Sequence, residues 1–464
     1  MRDCKDKRGI AYTAATQEAV DRFDATMEEY LHFGTDAGPR LKETLSADPE
    51  FAMAHVLRGY FMQLFCVAAL TEKAAQSLAK AREAAAARGV DAREQHHIDA
   101  LAAWIGGDMR SALDHWESIL LEHPLDMLAV KLAQFTLFYL GDSRRLRDCI
   151  ARILYAWSAD VPGRANVLGM YAFGLEESGD YESAERYGRE AVASDPDDAW
   201  AVHAVAHVLE MQDRRRDGID WLRGLESHWR RANNFRFHIW WHLALFHLEL
   251  EQHEEVLRLY DEEFRAESTE EYLDVCNATS MLWRLEERGV DVGDRWKELS
   301  EVSATRTDGH GLIFPDMHFM MALEAAGDRA GGDRMLRSLE EMAGRPGVTQ
   351  AQVVDAVGLE LARAIAAWYR DDYEGVIARL LPIRYALSDI GGSHAQRDLF
   401  QQMLIAAALR APHAKLARAL LAERTRLKPR NAWTWQRYSQ ALEAAGDGVG
   451  AREAAREARS LLAA

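Results

Sequence analysis

The chain is poor in cysteine. Its four residues, Cys4, Cys66, Cys149 and Cys276, form no CxxC pair or other short spacing. That excludes a thiolate zinc knuckle and a disulfide framework, and it fits a reducing compartment. The ten prolines are scattered, so no proline-rich linker divides the chain. No apolar run approaches the roughly 18 residues that would cross a bilayer. The opening MRDCKDKRGI is charged and has no apolar core, so no secretory signal is expected. Positive charge is also short: 56 Lys and Arg against 74 Asp and Glu leave −18, a balance that repels phosphate backbones and anionic lipid. These absences predict a cytoplasmic protein that binds neither nucleic acid nor membrane. Alternating strand patterns, phosphate loops, Rossmann glycines, nucleophile elbows and EF-hands are missing too.

What is present is amphipathic helical periodicity and a repeat. A frame starting at Ala165 puts Ala172 at position 8, Gly179-Asp180-Tyr181 at a turn, Ala184 at 20, Ala191 at 27 and Pro196 at 32. Small residues let two helices cross closely, Gly-Asp stops the first helix, and Asp-Pro ends the second. The frame recurs at Arg93, with Ala100, Gly107-Asp108, Ala112 and Pro124. Weaker copies start at Met127, Ala199, Phe237, near Ile313 and at Ala432. A period of about 34 residues with this signature is that of the tetratricopeptide (TPR) hairpin. The reading is all-α: a right-handed superhelix of degenerate TPR-type hairpins, open to closing around a central groove or cavity. One α-solenoid is expected over 1–464, with helical hairpins in 1–92, the best-defined repeats in 93–262 and degenerate repeats in 263–464. Segments 268–308 and 343–354 read as long polar connections.

In such a superhelix the first helix of each hairpin lines the concave face, with positions 2, 5, 9, 12 and 13 on one stripe. The Ala199 unit then presents Trp200, His203, His207, Glu210 and Met211, and the next unit presents His238, Trp241 and, beside the stripe, His242. His97, Lys131, Phe135, Asn166, Phe173 and Glu176 come from the preceding units. Five of the 17 histidines, with His247 as the fifth, fall on two consecutive inner helices. The i, i+4 pairs His203/His207 and His238/His242 are spaced as a helix presents two nitrogen ligands to one metal. Glu210 is then a third ligand, a partner behind a ligand, or a general base. Three readings stay open: satisfied packing, a metal-free polar pocket, and a transition-metal site.

Other candidates are Asp316 and His318, facing the groove or, for Asp316, capping a helix start. The stretch Gly391–Phe400 reads as a turn and helix N-terminus offering Ser393, Gln396 and Arg397, either to an anion or as a plain cap with a surface Arg-Asp pair.

At PLDMLAVKLAQFTLFYLGD, DPDDAWAVHAVAHVLEM, HIWWHLALFHLE, SMLWRLEERGVDVGDRW and PIRYALSDIGGSHAQRDLF the chain resembles the tetratricopeptide-repeat protein 38 family. The resemblance implies a TPR-like superhelix and brings no settled reaction. It does draw His203, His207, Glu210, His238, Trp241, His242, Asp316, His318 and Arg397 into family phrases.

The expected function is a small-molecule binder with a His/Trp/Glu pocket or, if it is an enzyme, a metal-dependent hydrolase or oxygenase. Glu210, His207 and His242 are its candidate catalytic groups. His97, Trp200, His203, His238, Trp241, Asp316, His318, Gln396 and Arg397 would touch the ligand. A divalent transition metal would sit on His203, His207, His238 and His242. The alternative is an adaptor receiving a peptide or protein segment in its concave groove, and either form could be a homo-oligomer.

Overall fold

A computed structural model describes residues 4–463. The chain is a stack of antiparallel helical hairpins, and each expected repeat is one of them. They are Ala92–Ile105 with Met109–Glu122, Met127–Tyr139 with Ser143–Ala151, and Arg164–Glu177 with Tyr181–Ser194. Next come Ala199–Met211 with Arg215–Gly224, and Phe235–Glu249 with His253–Leu259. Farther on lie Ile313–Ala325 with Arg329–Met342, and Ala432–Ala444 with Gly448–Ala463.

The turns explain the frame. Gly107, Gly141, Gly179, Gly327 and Gly446 all have φ between +65° and +85°, which glycine tolerates without strain. The following Asp108, Asp142, Asp180 and Asp328 cap the second helix, each accepting a backbone N–H three residues on. Where the repeat has lost glycine, an ordinary residue holds the left-handed turn instead: Asp213, Glu251 and Asp371, with φ of 53° to 57°. Such a position costs about 1–2 kcal/mol, so the weak repeats are weak at their turns.

Two expectations change. Segment 268–308 is not a long connection, because it holds a further pair of helices, Tyr272–Glu286 and Arg295–Ser303. Its first helix is capped by Glu271, whose carboxylate accepts from the N–H groups of Leu273 and Asp274; its Gly-Asp pair, Gly293-Asp294, stands well past Glu286, the last residue of that helix, and so falls outside the repeat frame. A two-residue antiparallel ladder, Cys4–Lys5 with Ala11–Tyr12, also appears where no strand was expected.

The array turns back on itself. The Asn233 N–H donates to Phe33 O at 2.6 Å and the Thr349 N–H to Gly107 O at 2.9 Å. Arg215 reaches Leu461 O, and Asn431 donates to Asp213 and Glu249. At Gly391 (φ +82°) an added Cβ would lie 2.6 Å from Tyr139 O; only glycine admits that backbone. The concave stripe of the 199–211 and 235–249 helices is therefore interior rather than an open groove.

Candidate metal centre

Asp198 starts the 199–211 helix by accepting from the N–H groups of Trp200 and Ala201 at 2.9 and 3.1 Å. Apolar residues surround almost the whole helix, and eleven of its positions are buried. The same holds for the 235–249 helix beside it. Burial on every side forces the two histidine pairs to face each other across the helix contact. His203 Nε2 lies 2.8 Å from His207 Nε2 and 3.0 Å from His238 Nε2. His242 stacks edge-on against His207, with ring centroids 4.4 Å apart. All four residues offer a ring nitrogen within 4.8 Å of the others. A tetrahedral ion with Zn–N bonds of 2.0–2.1 Å needs its nitrogens about 3.3–3.4 Å apart.

The outer ring nitrogens face oxygen. His238 Nδ1 is 3.0 Å from Asn277 Oδ1, His242 Nδ1 is 3.0 Å from Glu210 Oε2, and His207 Nδ1 is 3.7 Å from Glu176 Oε2. His203 Nδ1 has no partner. Burial, reinforced by the neighbouring imidazoles for His203, His207 and His238, holds those three well below the usual histidine range; burial alone lowers His242 to about 3. The rings are therefore neutral at pH 7, one nitrogen donating and one accepting. An N–H donated outward from His238 and His242 leaves their Nε2 lone pairs aimed inward, and His242 Nε2 meets no partner. Inward lone pairs of this kind repel unless a cation or a proton lies between them.

Two carboxylates stand behind the rings. Glu176 is fully buried with both oxygens unpartnered. Burial, then the charges of Glu177 and Glu210, lift it well above the usual carboxylate range. Burial pushes Glu210 up to about 7, against Lys428 and Arg284. Glu210 also borders a cavity of ≈ 20 Å³ shared with Arg284, Asp398, Lys428 and Asn431, enough for a single water.

The aromatic walls are where the frame put them. Trp241 stacks on His238 at 5.3 Å and donates its indole N–H to Ser280 Oγ. Trp200 packs against His203, Phe173 and Phe235. Lys131 is buried with its ammonium 4.6 Å from the Phe33 ring, 4.8 Å from Phe135 and 5.2 Å from Trp200. Burial lowers it to about 8.

Other candidates sit elsewhere. His97 Nε2 faces Asp126 at 3.2 Å, beside the Arg93–Asp126 pair, and His247 leans on Gln252. Asp316 does not cap its helix. Leu312 is the N-cap residue, and Asp316 is buried against His310 Nδ1 at 2.8 Å. His318 donates to Phe314 O and is lowered by burial to about 4. Gln396 closes a capping box with Ser393. The anion at that N-terminus is the chain's own: Glu177 accepts from the His394 N–H at 2.8 Å and from Arg397 at 3.3 Å. The expected Arg397–Asp398 surface pair is absent, because Asp398 binds Arg424.

No family model matches the chain. Among solved structures, the human IFIT1 dimer with PPP-AAAA is 14% identical over 89% of this chain and 91% of that one, with a TM-score of 0.40. Naa15/Naa10 bound to HypK-THB is 12% identical over 96% and 63%, with a TM-score of 0.26. The P58(IPK) TPR domain is 14% identical over 80% and 98%, with a TM-score of 0.22. Similarity at this level carries no function across.

Asn277 was not singled out from sequence, and Glu176 was placed on the inner stripe without a role at the site. Glu176 occupies position 12 of the Ala165 frame, so its stripe was readable. Asn277 lies in the segment that had no frame.

Proposed function

We propose that this chain is a metal-binding helical-repeat protein of the tetratricopeptide-repeat protein 38 kind, with a divalent transition-metal ion held by His203, His207, His238 and His242. The observation that carries this is the convergence of four neutral imidazoles, two of which, His238 and His242, have their outer nitrogens tied to Asn277 and Glu210 and so turn their Nε2 lone pairs inward. Imidazole ligands suit Zn, Cu, Fe and Ni. By taking a fifth ligand such an ion would supply Lewis-acid activation of a bound oxygen atom. Glu210 hydrogen-bonds His242 and fixes its ring, while Glu176, neutral beside His207, is a proton donor or acceptor within reach of the centre. That chemistry fits a metal-dependent enzyme, hydrolase or oxygenase, acting on a small molecule. The adaptor alternative needs an accessible groove, and the stripe that would receive a peptide is buried on these two helices.

Titration of the metal-free protein with Co²⁺ tests the reading, because a four-nitrogen tetrahedral site gives intense visible absorption. One equivalent of such a chromophore is expected in the wild type, and none in His203→Ala/His238→Ala. A spectrum of hydrated Co²⁺ alone would contradict the assignment.

A further inference from the structure

A second constellation lies away from the four histidines. A cavity of ≈ 370 Å³ opens between the start of the Ile313–Ala325 helix, the loop before it and the turn at Cys66, a size that holds a small ligand. Val67, Leu312 and Phe319 make apolar walls, and His310 and Asp316 reach its lining. His310 has φ +36°, a conformation rare for a residue with a side chain, and glycines flank it on both sides.

That strained placement puts the ring between two oxygens. His310 Nδ1 is 2.8 Å from Asp316 Oδ2, and Nε2 is 2.9 Å from Ser338 Oγ. Asp316 is buried, and its carboxylate accepts the Nδ1 proton, which leaves the Nε2 lone pair facing the hydroxyl. Among the described residues the Ser338 hydroxyl has no other hydrogen-bond partner, and the serine is half-buried. Hydroxyl, imidazole and carboxylate thus stand in the order and at the spacing of an activated nucleophile, its base and the group that orients the base.

We propose that Ser338, His310 and Asp316 are a hydrolytic triad for small carboxylic esters; Ser338 is outside the cavity lining, and His310, which bonds Ser338 and lines the cavity, links the hydroxyl to the space where the apolar acyl group sits. Ser338 Oγ bonds to the acyl carbon as its proton passes to His310 Nε2. The ester C–O bond then breaks and the leaving alcohol takes that proton. Water next gives a proton to His310 and bonds to the acyl carbon; the Ser338–acyl bond breaks, the carboxylic acid leaves, and Oγ recovers its proton. Cys66 borders the same cavity but is no rival nucleophile. Its thiol donates to Leu64 O, and burial raises its pKa. No residue is shared with the metal centre, so the two readings stand or fall separately.

The test is reaction of the full chain with a fluorophosphonate probe, mapped by peptide mass, alongside hydrolysis of 4-nitrophenyl butyrate. Labelling of Ser338 is expected, lost together with hydrolysis in Ser338→Ala and slowed about 10²–10⁴-fold in His310→Gln. Should His310→Gln fail to fold, Ser338→Cys decides: beside an intact His310 its thiol should alkylate with a midpoint below the free-cysteine value of about 8.5. An unlabelled Ser338 in the folded wild type, unchanged hydrolysis in Ser338→Ala, or an ordinary thiol titration in Ser338→Cys would each overturn the proposal.

Discussion

Two buried groups of histidines behave differently because of what they face. On the 199–211 and 235–249 helices, imidazoles face imidazoles, and the outer nitrogens of His238 and His242 find oxygens. At the mouth of the 370 Å³ cavity one imidazole stands between a carboxylate and a hydroxyl. The first arrangement collects lone pairs and asks for a cation; the second passes a proton along a line. The residue type is the same, and partner identity and burial set the chemistry.

The contrast breaks most sharply by removing donors on one side only. His203→Ala/His238→Ala takes half the nitrogens and should weaken metal binding by more than about 10³-fold, measured by competition with a chromophoric chelator, while Ser338 still reacts with the probe. Loss of both properties together would mean the substitutions unfold the core rather than empty a site.

A seam joins the two regions. Gly392 (φ +79°) faces Phe314, which an added Cβ would meet at 2.6 Å, and its carbonyl holds Arg397. Gly392→Ala should destabilise the chain by about 2–4 kcal/mol, from the left-handed backbone and the clash, as measured by chemical denaturation. It should also disturb both sites at once.

Behind the ligands the effects are smaller. Asn277→Ala frees the His238 ring and should weaken metal affinity about 10–100-fold without changing the reactivity of Ser338. An unchanged affinity would say that His238 is oriented by packing alone.

A third kind of histidine sharpens the comparison. His32, partly exposed, bonds Asp195 at 2.7 Å, and that hydrogen bond pushes it up to about 9. A histidine raised above its unfolded value of about 6.5 stabilises fully below that pH. The contribution therefore fades as pH rises from about 6.5 through about 9. Asp195→Asn should lower stability at pH 6 by about 0.5–1 kcal/mol and change little at pH 10, since solvent screens the pair.

Much of the scaffold was legible because TPR turns need a left-handed residue, and Gly107-Asp108 and Gly179-Asp180 write that need into the chain. The Tyr272–Glu286 helix escaped because its cap is Glu271 and the Gly293-Asp294 pair before the next helix stands well past Glu286, out of the repeat frame, and Asn277 escaped with it. The i, i+4 spacing revealed the two histidine pairs, but not that they are interior. That depends on contacts such as His394 with Glu177, 217 residues apart in the sequence. His310 had no local signal at all. It lies in a loop, and its serine comes 28 residues later.

The central claim rests on whether four neutral imidazoles share an ion, and metal content per chain of protein purified without a histidine tag measures that directly. The account predicts one equivalent of a single transition metal in the wild type, lost with His203→Ala/His238→Ala in a protein that remains helical. Sub-stoichiometric metal in every preparation, with a melting temperature unmoved by chelator, would contradict it.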